Sequence, residues 1–433
     1  MTILTWEPPA EVSLDEILKI SNDLLAESVR EYTSEEDVFR IEAVGMNWDI
    51  GCRIYQPSDP SRQVVGPDGK KAGIFLLHGG QADHRYFESI APILAGHYGY
   101  KVVCMTFPGR LYLLDPSRNW PDDTINADGT CRTPIWCTDN LITRDQYNLI
   151  EDRTNLSKRK KWGTLMFLEA KEGTEFYYRM AAWPVAFDEG MRECLARHFP
   201  VGEYSVYAHG HSTGGSFVHY LSQRVENVTG ILDMESSPFG YLSSKLTGHQ
   251  WNFPFNYLTL RTWRHIARYL GPEAGQEGAE RLPMLMEEVF EAWDRSKHYP
   301  QFKAEYFIHM MGLEALQEAA RVTAKRLNMN RDETDALVRR YEDYTREISG
   351  PGVKPLPPIL VGLAKDSVNQ TLENYSNIML PAFAAMKPAP KVRITLYQAG
   401  LHAYMKPREG LPMGVGPAVI KVWHEAITSE YFK

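Results

Sequence analysis

Tyr204-Ser205-Val206-Tyr207-Ala208-His209-Gly210-His211-Ser212-Thr213-Gly214-Gly215-Ser216-Phe217-Val218 runs from an apolar strand through a glycine-rich turn into a helix. Residues 210–214 fit G-x-S-x-G. The five-residue pattern alone is weak, because Gly and Ser are common. The strand before it and the helix after it supply the setting that a nucleophile elbow needs. Small residues two before and two after Ser212 let strand and helix approach closely, and the turn holds the serine in a strained backbone conformation. The hydroxyl then stands at the sheet edge, near a helix N-terminus that favours negative charge.

Five further apolar runs flank this one. They are Gly73–His78, Lys101–Thr106, Gly230–Met234, Pro358–Gly362 and Val392–Tyr397. Helical stretches lie between them, at Tyr86–His97, Ala181–His198, Gly215–Val225 and Gly416–Tyr431. Continuous apolar strands alternating with helices imply an α/β protein with a mostly parallel sheet covered on both faces. Right-handed crossovers then bring the C-terminal ends of the strands to one edge, where sites form. Ahead of these runs, Val38–Val44 and Ile50–Tyr55 read as two strands joined by a turn at Gly45-Met46-Asn47. Ser13-Leu14-Asp15-Glu16 has the form of a capping box opening an N-terminal helix.

Two intervals are too long for simple crossovers. Leu111 to Glu175 follows the fourth strand, and Glu235 to Lys354 follows the sixth. The second is mainly helical by periodicity, as at Leu282–Ser296, Leu313–Leu327 and Glu333–Ile348. Both leave the edge where the site is expected, so a lid is favoured over added core. The expected division is residues 1–234 (with the 111–175 insertion) as the first part of the core, 235–354 as a helical lid, and 355–433 as the rest of the core.

Ser212 needs a base, and His402 lies just past the end of the last strand, on the expected edge. The base needs an orienting acid. Asp366 follows the fifth apolar run and is the expected choice; Glu235, just after Met234, is the alternative, since either position can carry the carboxylate. The chain order Ser212, Asp366, His402 is the one expected for this arrangement. His78-Gly79-Gly80-Gln81 follows the first apolar run, and its backbone N–H groups can face a substrate oxygen. Thr213 N–H is the expected second donor.

At these residues the chain resembles the α/β-hydrolase superfamily of serine hydrolases, over Gly73–Pro108, Ala181–Met234 and Pro358–Tyr431. The resemblance implies an esterase- or lipase-like enzyme with an acyl-enzyme intermediate on Ser212. Gln81 departs from the HGGG pattern of one lipase and esterase group, so Gly80 and Gln81 both stand as candidates for the first oxyanion donor. A carboxylic ester is the expected substrate. A thioester, a lactone, an amide or a carbon–carbon bond next to a ketone would use the same residues, and a slow or non-hydrolytic ligand receptor would keep the same pocket. Epoxide or haloalkane opening is disfavoured, because Ser212 stands where those enzymes carry Asp.

Composition narrows the remaining classes. Lys+Arg is 47 against 55 Asp+Glu, a net charge of −8, without the basic excess of a nucleic-acid-binding protein. No apolar run is long enough to span a bilayer. MTILTWEPPAEVSLDE has neither the basic nor the apolar region of a secretory leader, and 5 cysteines cannot all pair. A cytoplasmic, reducing location with free thiols is the expectation; Cys131 and Cys137 could bridge only after export. The insertions hold six of the ten tryptophans, which favours an apolar or aromatic small-molecule ester. No cofactor or metal is expected. His209 and His211 read as packing or surface groups, the basic run Lys158–Lys161 as a solvated loop, and His424-Glu425 lacks a second ligand at Thr428.

Overall fold

The computed structural model describes residues 7–27, 30–43, 45–79, 82–111, 135–139, 142–152, 165–171, 174–236, 329–336, 354–367 and 388–433, with positions 339, 372, 375, 376, 380 and 383. Its strands are β1 (Ala10–Val12), β2 (Tyr32–Ala43), β3 (Met46–Pro57), β4 (Lys71–Leu77), β5 (Lys101–Met105), β6 (Tyr147–Asp152), β7 (Leu165–Ala170), β8 (Tyr204–His211), β9 (Val228–Met234), β10 (Ile359–Ala364) and β11 (Val392–Tyr397). The longer helices among the described residues are α1 (Leu14–Ala26), α2 (Glu175–His198), α3 (Thr213–Arg224) and α4 (Gly416–Thr428).

Nine strands form one sheet in the order β2-β3-β5-β4-β8-β9-β10-β11-β1. The β2–β3 and β3–β5 pairs are antiparallel and all the others parallel. Every residue of β8 and β10 is buried, as the apolar runs require for strands covered on both sides. Alternate residues supply two cores. On one face Ile74, Leu76, Val102, Leu232 and Leu360 cluster with Ile17 of α1 and Val419, Ile420 and Trp423 of α4. On the other, Phe187 of α2 and Phe217 of α3 lie with ring centroids 3.9 Å apart, and Phe107 packs against both.

The N-terminal capping box forms as expected: Ser13 N–H donates to the Glu16 carboxylate at 2.8 Å, and Glu16 N–H to Ser13 Oγ at 3.3 Å. Two expectations change, and one element appears that the sequence reading does not include. The β2–β3 turn is tighter than expected, because Ala43 already pairs with Met46 and Gly45 takes φ 64°. Tyr86–His97 is not one regular helix; a short 3-10 turn over His84–Phe87 is followed by separate turns at Ala91–Ile93 and Leu94–Tyr98, with Pro92 in the first turn of the middle one. And β1 joins the sheet parallel to β11, without any patterned signal in its three residues.

Parts of the first insertion are described. β6 and β7 form a separate antiparallel pair. Trp136 is buried against Trp48 with ring centroids 5.8 Å apart, and Asp49 N–H donates to the Trp136 carbonyl at 2.7 Å. This part adds to the core beside β3. Residues 112–134 and 153–164, Gly80, Gln81 and most of the expected helical lid lie outside the described residues.

Candidate active site

β8 delivers Ser212 to the C-terminal edge of the sheet, between Gly210 and Gly214. Ser212 has φ 56° and ψ −122°, a conformation that costs on the order of 1–3 kcal/mol for a residue with a side chain. The surroundings impose it. A Cβ on Gly214 would come within 2.5 Å of the His78 carbonyl oxygen, and one on Gly210 would run into the Gly215 backbone. Strand and helix thus meet backbone to backbone, as the small residues flanking Ser212 require. The Ser236 hydroxyl donates to the Ser212 carbonyl and pins the turn from β9.

His402 follows β11 through Gly400, whose φ of 104° suits a residue without a side chain. Two contacts fix it. His211 Nε2–H donates to the His402 carbonyl at 2.7 Å, tying the residue next to the nucleophile to the histidine backbone. On the ring, His402 Nδ1 faces Glu235 Oε2 at 3.3 Å. The elbow and the distant histidine are thereby brought together at one edge.

Glu235 is the second non-glycine residue with positive φ among the described residues, at 53°. That turn swings its fully buried carboxyl across the end of β10. There Oε1 accepts the Ala364 N–H at 2.5 Å, and Oε2 accepts the Ser367 hydroxyl and faces His402. Burial pushes the Glu235 carboxyl up to about 8, against the Ala364 and Ser367 donors, which hold it down. Burial pushes the His402 imidazole down to about 3.

Asp366 stands elsewhere. Its carboxylate pairs with Arg408 at 2.6 Å, with both side chains well exposed. The expectation that Asp366 would lie against His402 is therefore corrected: the carboxylate at Nδ1 belongs to Glu235. β9 and β10 are parallel neighbours, so both acids reach the same rim. Only the left-handed turn at Glu235 directs one of them inward, and strand patterning does not reveal a turn of that kind.

The loop after β4 is held by a residue whose role the sequence does not betray. His78 is fully buried, stacks on Phe107 with centroids 3.9 Å apart, and accepts the Phe107 N–H on Nε2 at 3.1 Å. Its Nδ1–H is then left to donate to the Gly79 carbonyl at 2.7 Å. Burial holds this imidazole down to about 3, in keeping with a neutral ring that both donates and accepts. Gly79 lies close to the elbow, since a Cβ there would come 3.3 Å from Ser212 Cβ. Gly80 and Gln81, the first-donor candidates, are outside the described residues. Thr213 opens α3, where first-turn N–H groups have no partner within the helix. His209 is a packing residue, as expected: Nδ1 bonds the Leu232 carbonyl at 2.7 Å and Nε2 the Tyr404 hydroxyl at 3.1 Å.

The strand order, the parallel crossovers and the strained serine turn between β8 and α3 define the α/β-hydrolase fold. No protein-family model and no curated protein matches the chain. Similar solved structures include a lipase in its open form, at 10% identity over 92% of this chain and 100% of that one, TM-score 0.39. A peroxisomal alpha-beta-hydrolase of Saccharomyces cerevisiae, Lpx1, is similar at 10% identity over 93% and 90%, TM-score 0.38. The Francisella virulence factor BioJ is similar at 10% identity over 94% and 89%, TM-score 0.37.

Proposed function

We propose that the chain is a serine hydrolase that cleaves a carboxylic ester through an acyl-enzyme on Ser212. His402 acts as general base and then general acid, and Glu235 orients it. The observation that carries this reading is the buried Glu235 carboxyl 3.3 Å from His402 Nδ1, at the same sheet edge as a serine held at φ 56°.

With the Nδ1 proton committed to Glu235, His402 Nε2 is the nitrogen that can take the Ser212 proton as Oγ attacks the ester carbonyl. The tetrahedral oxyanion receives N–H groups from Thr213 and from Gly80 or Gln81. The C–O bond to the alcohol breaks, and His402 returns its proton to the leaving alcohol. Water then attacks the acyl-enzyme, with His402 again removing the proton, and the acid and free Ser212 are released. Each oxyanion donor is worth about 3–4 kcal/mol of barrier, so such a site achieves acyl transfer without a metal ion.

The substrate class is a small apolar or aromatic ester, bound beneath residues of the 111–175 and 235–354 segments, which leave the chain at this edge. We assign the segments 1–234 and 355–433 to one catalytic core and 235–354 to its cover. The four described cysteines are free and buried, which fits a reducing, cytoplasmic setting. No helix among the described residues is long and apolar enough to cross a membrane.

The test is covalent labelling with a fluorophosphonate and peptide mapping by mass spectrometry. An adduct on the peptide holding Ser212, absent in Ser212→Ala, is expected. A folded protein left unlabelled there would remove the mechanism. Release of acid from a panel of esters, thioesters, lactones and amides then identifies the bond.

A further inference from the structure

We propose that Cys52, Cys194, His198 and Asp37 form a structural zinc site that fastens α2 to the β2–β3 hairpin. Three donor side chains from two elements converge there, and Asp37 of β2 borders them beside His198. Asp37 and Cys52 are directly opposed in the antiparallel β2–β3 pair and so face the same side of the sheet. Cys194 and His198 are four residues apart near the end of α2, and so share one helix face. The two thiol sulfurs and a ring nitrogen all lie within 4.8 Å of one another.

The spacing is that of a shared ion. His198 Nε2 is 3.5 Å from Cys52 Sγ and 3.2 Å from Asp37 Oδ2. A tetrahedral zinc ion, with Zn–S near 2.3 Å and Zn–N and Zn–O near 2.0–2.2 Å, holds its sulfur and nitrogen ligands roughly 3.5 Å apart and its nitrogen and oxygen roughly 3.4 Å apart. A single ring nitrogen can donate one proton, yet here it faces both a sulfur and a carboxylate oxygen. One cation between them satisfies both contacts. A disulfide between the two thiols would use neither His198 nor Asp37.

The donor set selects the metal. Two thiolates, one imidazole and one carboxylate suit zinc rather than magnesium or calcium, which take oxygen ligands. Cys52, Cys194 and His198 have their donor atoms within 4.8 Å of one another, and Asp37, 3.2 Å from His198 at the rim, would close the fourth position on binding, which suits a structural role. Both cysteines are buried, whereas the His198 side chain is 12% exposed and Asp37 31%, which provides an entry path for the ion. The site is independent of Ser212 and of the chemistry proposed for it. Sequence spacing conceals it, since Cys52 and His198 are 146 positions apart.

Titration of the metal-stripped, reduced chain with Co²⁺ tests this without relying on turnover. One equivalent is expected to produce thiolate-to-cobalt charge-transfer absorption and the intense visible bands of a tetrahedral ion, and Zn²⁺ is expected to bleach both. Losing an outer-shell partner typically weakens binding 10–100-fold, so His198→Ala should weaken Co²⁺ binding by more than about 100-fold. A chelator should lower the melting temperature of the unmodified chain and leave that of His198→Ala unchanged. Asp37→Asn, at the exposed rim, serves as the second variant and should weaken binding while the circular dichroism spectrum is retained. The proposal is overturned if the folded, reduced chain gives no tetrahedral spectrum. It is also overturned if that spectrum survives in Cys52→Ser, or if the freshly purified chain carries a Cys52–Cys194 disulfide.

Discussion

His211 Nε2–H donates to the His402 carbonyl at 2.7 Å, so the residue just before the nucleophile holds the backbone of the residue that serves as its base. The imidazole of His211 is itself buried and lies parallel to Tyr86, with ring centroids 5.1 Å apart. Nucleophile turn and histidine loop are thereby one mechanical unit, although they lie far apart in the chain.

His211→Ala breaks that unit and removes a ring packed 4.9 Å from the His402 imidazole, while Ser212 and Glu235 keep their own side chains. A part-buried carbonyl left without its donor costs up to about 1–3 kcal/mol, and the His402 loop gains freedom. We expect kcat to fall by roughly 10- to 100-fold with a smaller change in KM, and fluorophosphonate labelling to slow in parallel. Steady-state kinetics and labelling rates measure both. Unchanged rates would show that the loop is held by other contacts.

Glu235→Gln and Asp366→Asn should separate sharply. Gln cannot hold the tautomer of His402 that a carboxylate does, and the loss in kcat should be on the order of 10³–10⁴. Asp366 forms an exposed ion pair with Arg408, which is worth about 0–1 kcal/mol, so its amide should keep turnover within a few-fold of the parent. Comparison of kcat/KM for the two variants is the check. The reverse ranking would return the orienting role to Asp366.

Burial moves the two ring-and-carboxyl partners in opposite senses, His402 down to about 3 and Glu235 up to about 8, each toward its neutral form. A base needs its neutral ring, and His402 keeps it well below the ordinary 6.5. The profile of kcat/KM against pH should therefore show no inflection at that value. It should rise as Glu235 loses its proton near 8 and begins to stabilise the imidazolium of the transition state. In Glu235→Gln that alkaline rise should vanish. An ordinary histidine limb near 6.5 would contradict this assignment.

Asp233 supplies a stability prediction. It is fully buried near the end of β9, where among the described residues neither carboxyl oxygen has a hydrogen-bond partner and His219 Nε2 stands 3.8 Å from Oδ2. Burial, and then the nearby Glu235, raise it well above its ordinary value. A carboxyl whose folded pKa is raised stabilises the fold fully below its unfolded value, near 3.9. It loses that contribution as pH rises toward the folded value. Asp233→Asn, neutral at every pH, should flatten this decline and be more stable than the parent by at least about 1 kcal/mol on the alkaline side. Thermal melts at acid and alkaline pH compare the two directly.

Much of the fold is legible because short continuous apolar runs such as Phe75-Leu76-Leu77 and Ile359-Leu360-Val361, bounded by glycine or proline and alternating with helical stretches, fit strands buried on both faces. The elbow is legible because its glycines answer a steric demand that the structure displays at Gly210 and Gly214. Other features leave little trace. β1 is a three-residue edge strand with two exposed residues, and its place beside β11 comes from backbone pairing alone. The choice between Glu235 and Asp366 turns on one backbone dihedral. His78 works through its ring nitrogens, so an HGG motif reveals the glycines while its histidine reads as ordinary. Cys194 and His198 share a helix face, but nothing local links them to Cys52 and Asp37, and only the crossing of α2 over the β2–β3 hairpin assembles the four.

Ser212 and Glu235 are the two non-glycine residues among those described whose backbones sit at positive φ. Relieving the first with Ser212→Gly should give a chain that unfolds at higher temperature and does nothing. Turnover and durability thus pull against each other at a single peptide unit. A variant library selected for heat resistance alone would be expected to drift toward silence at that position first.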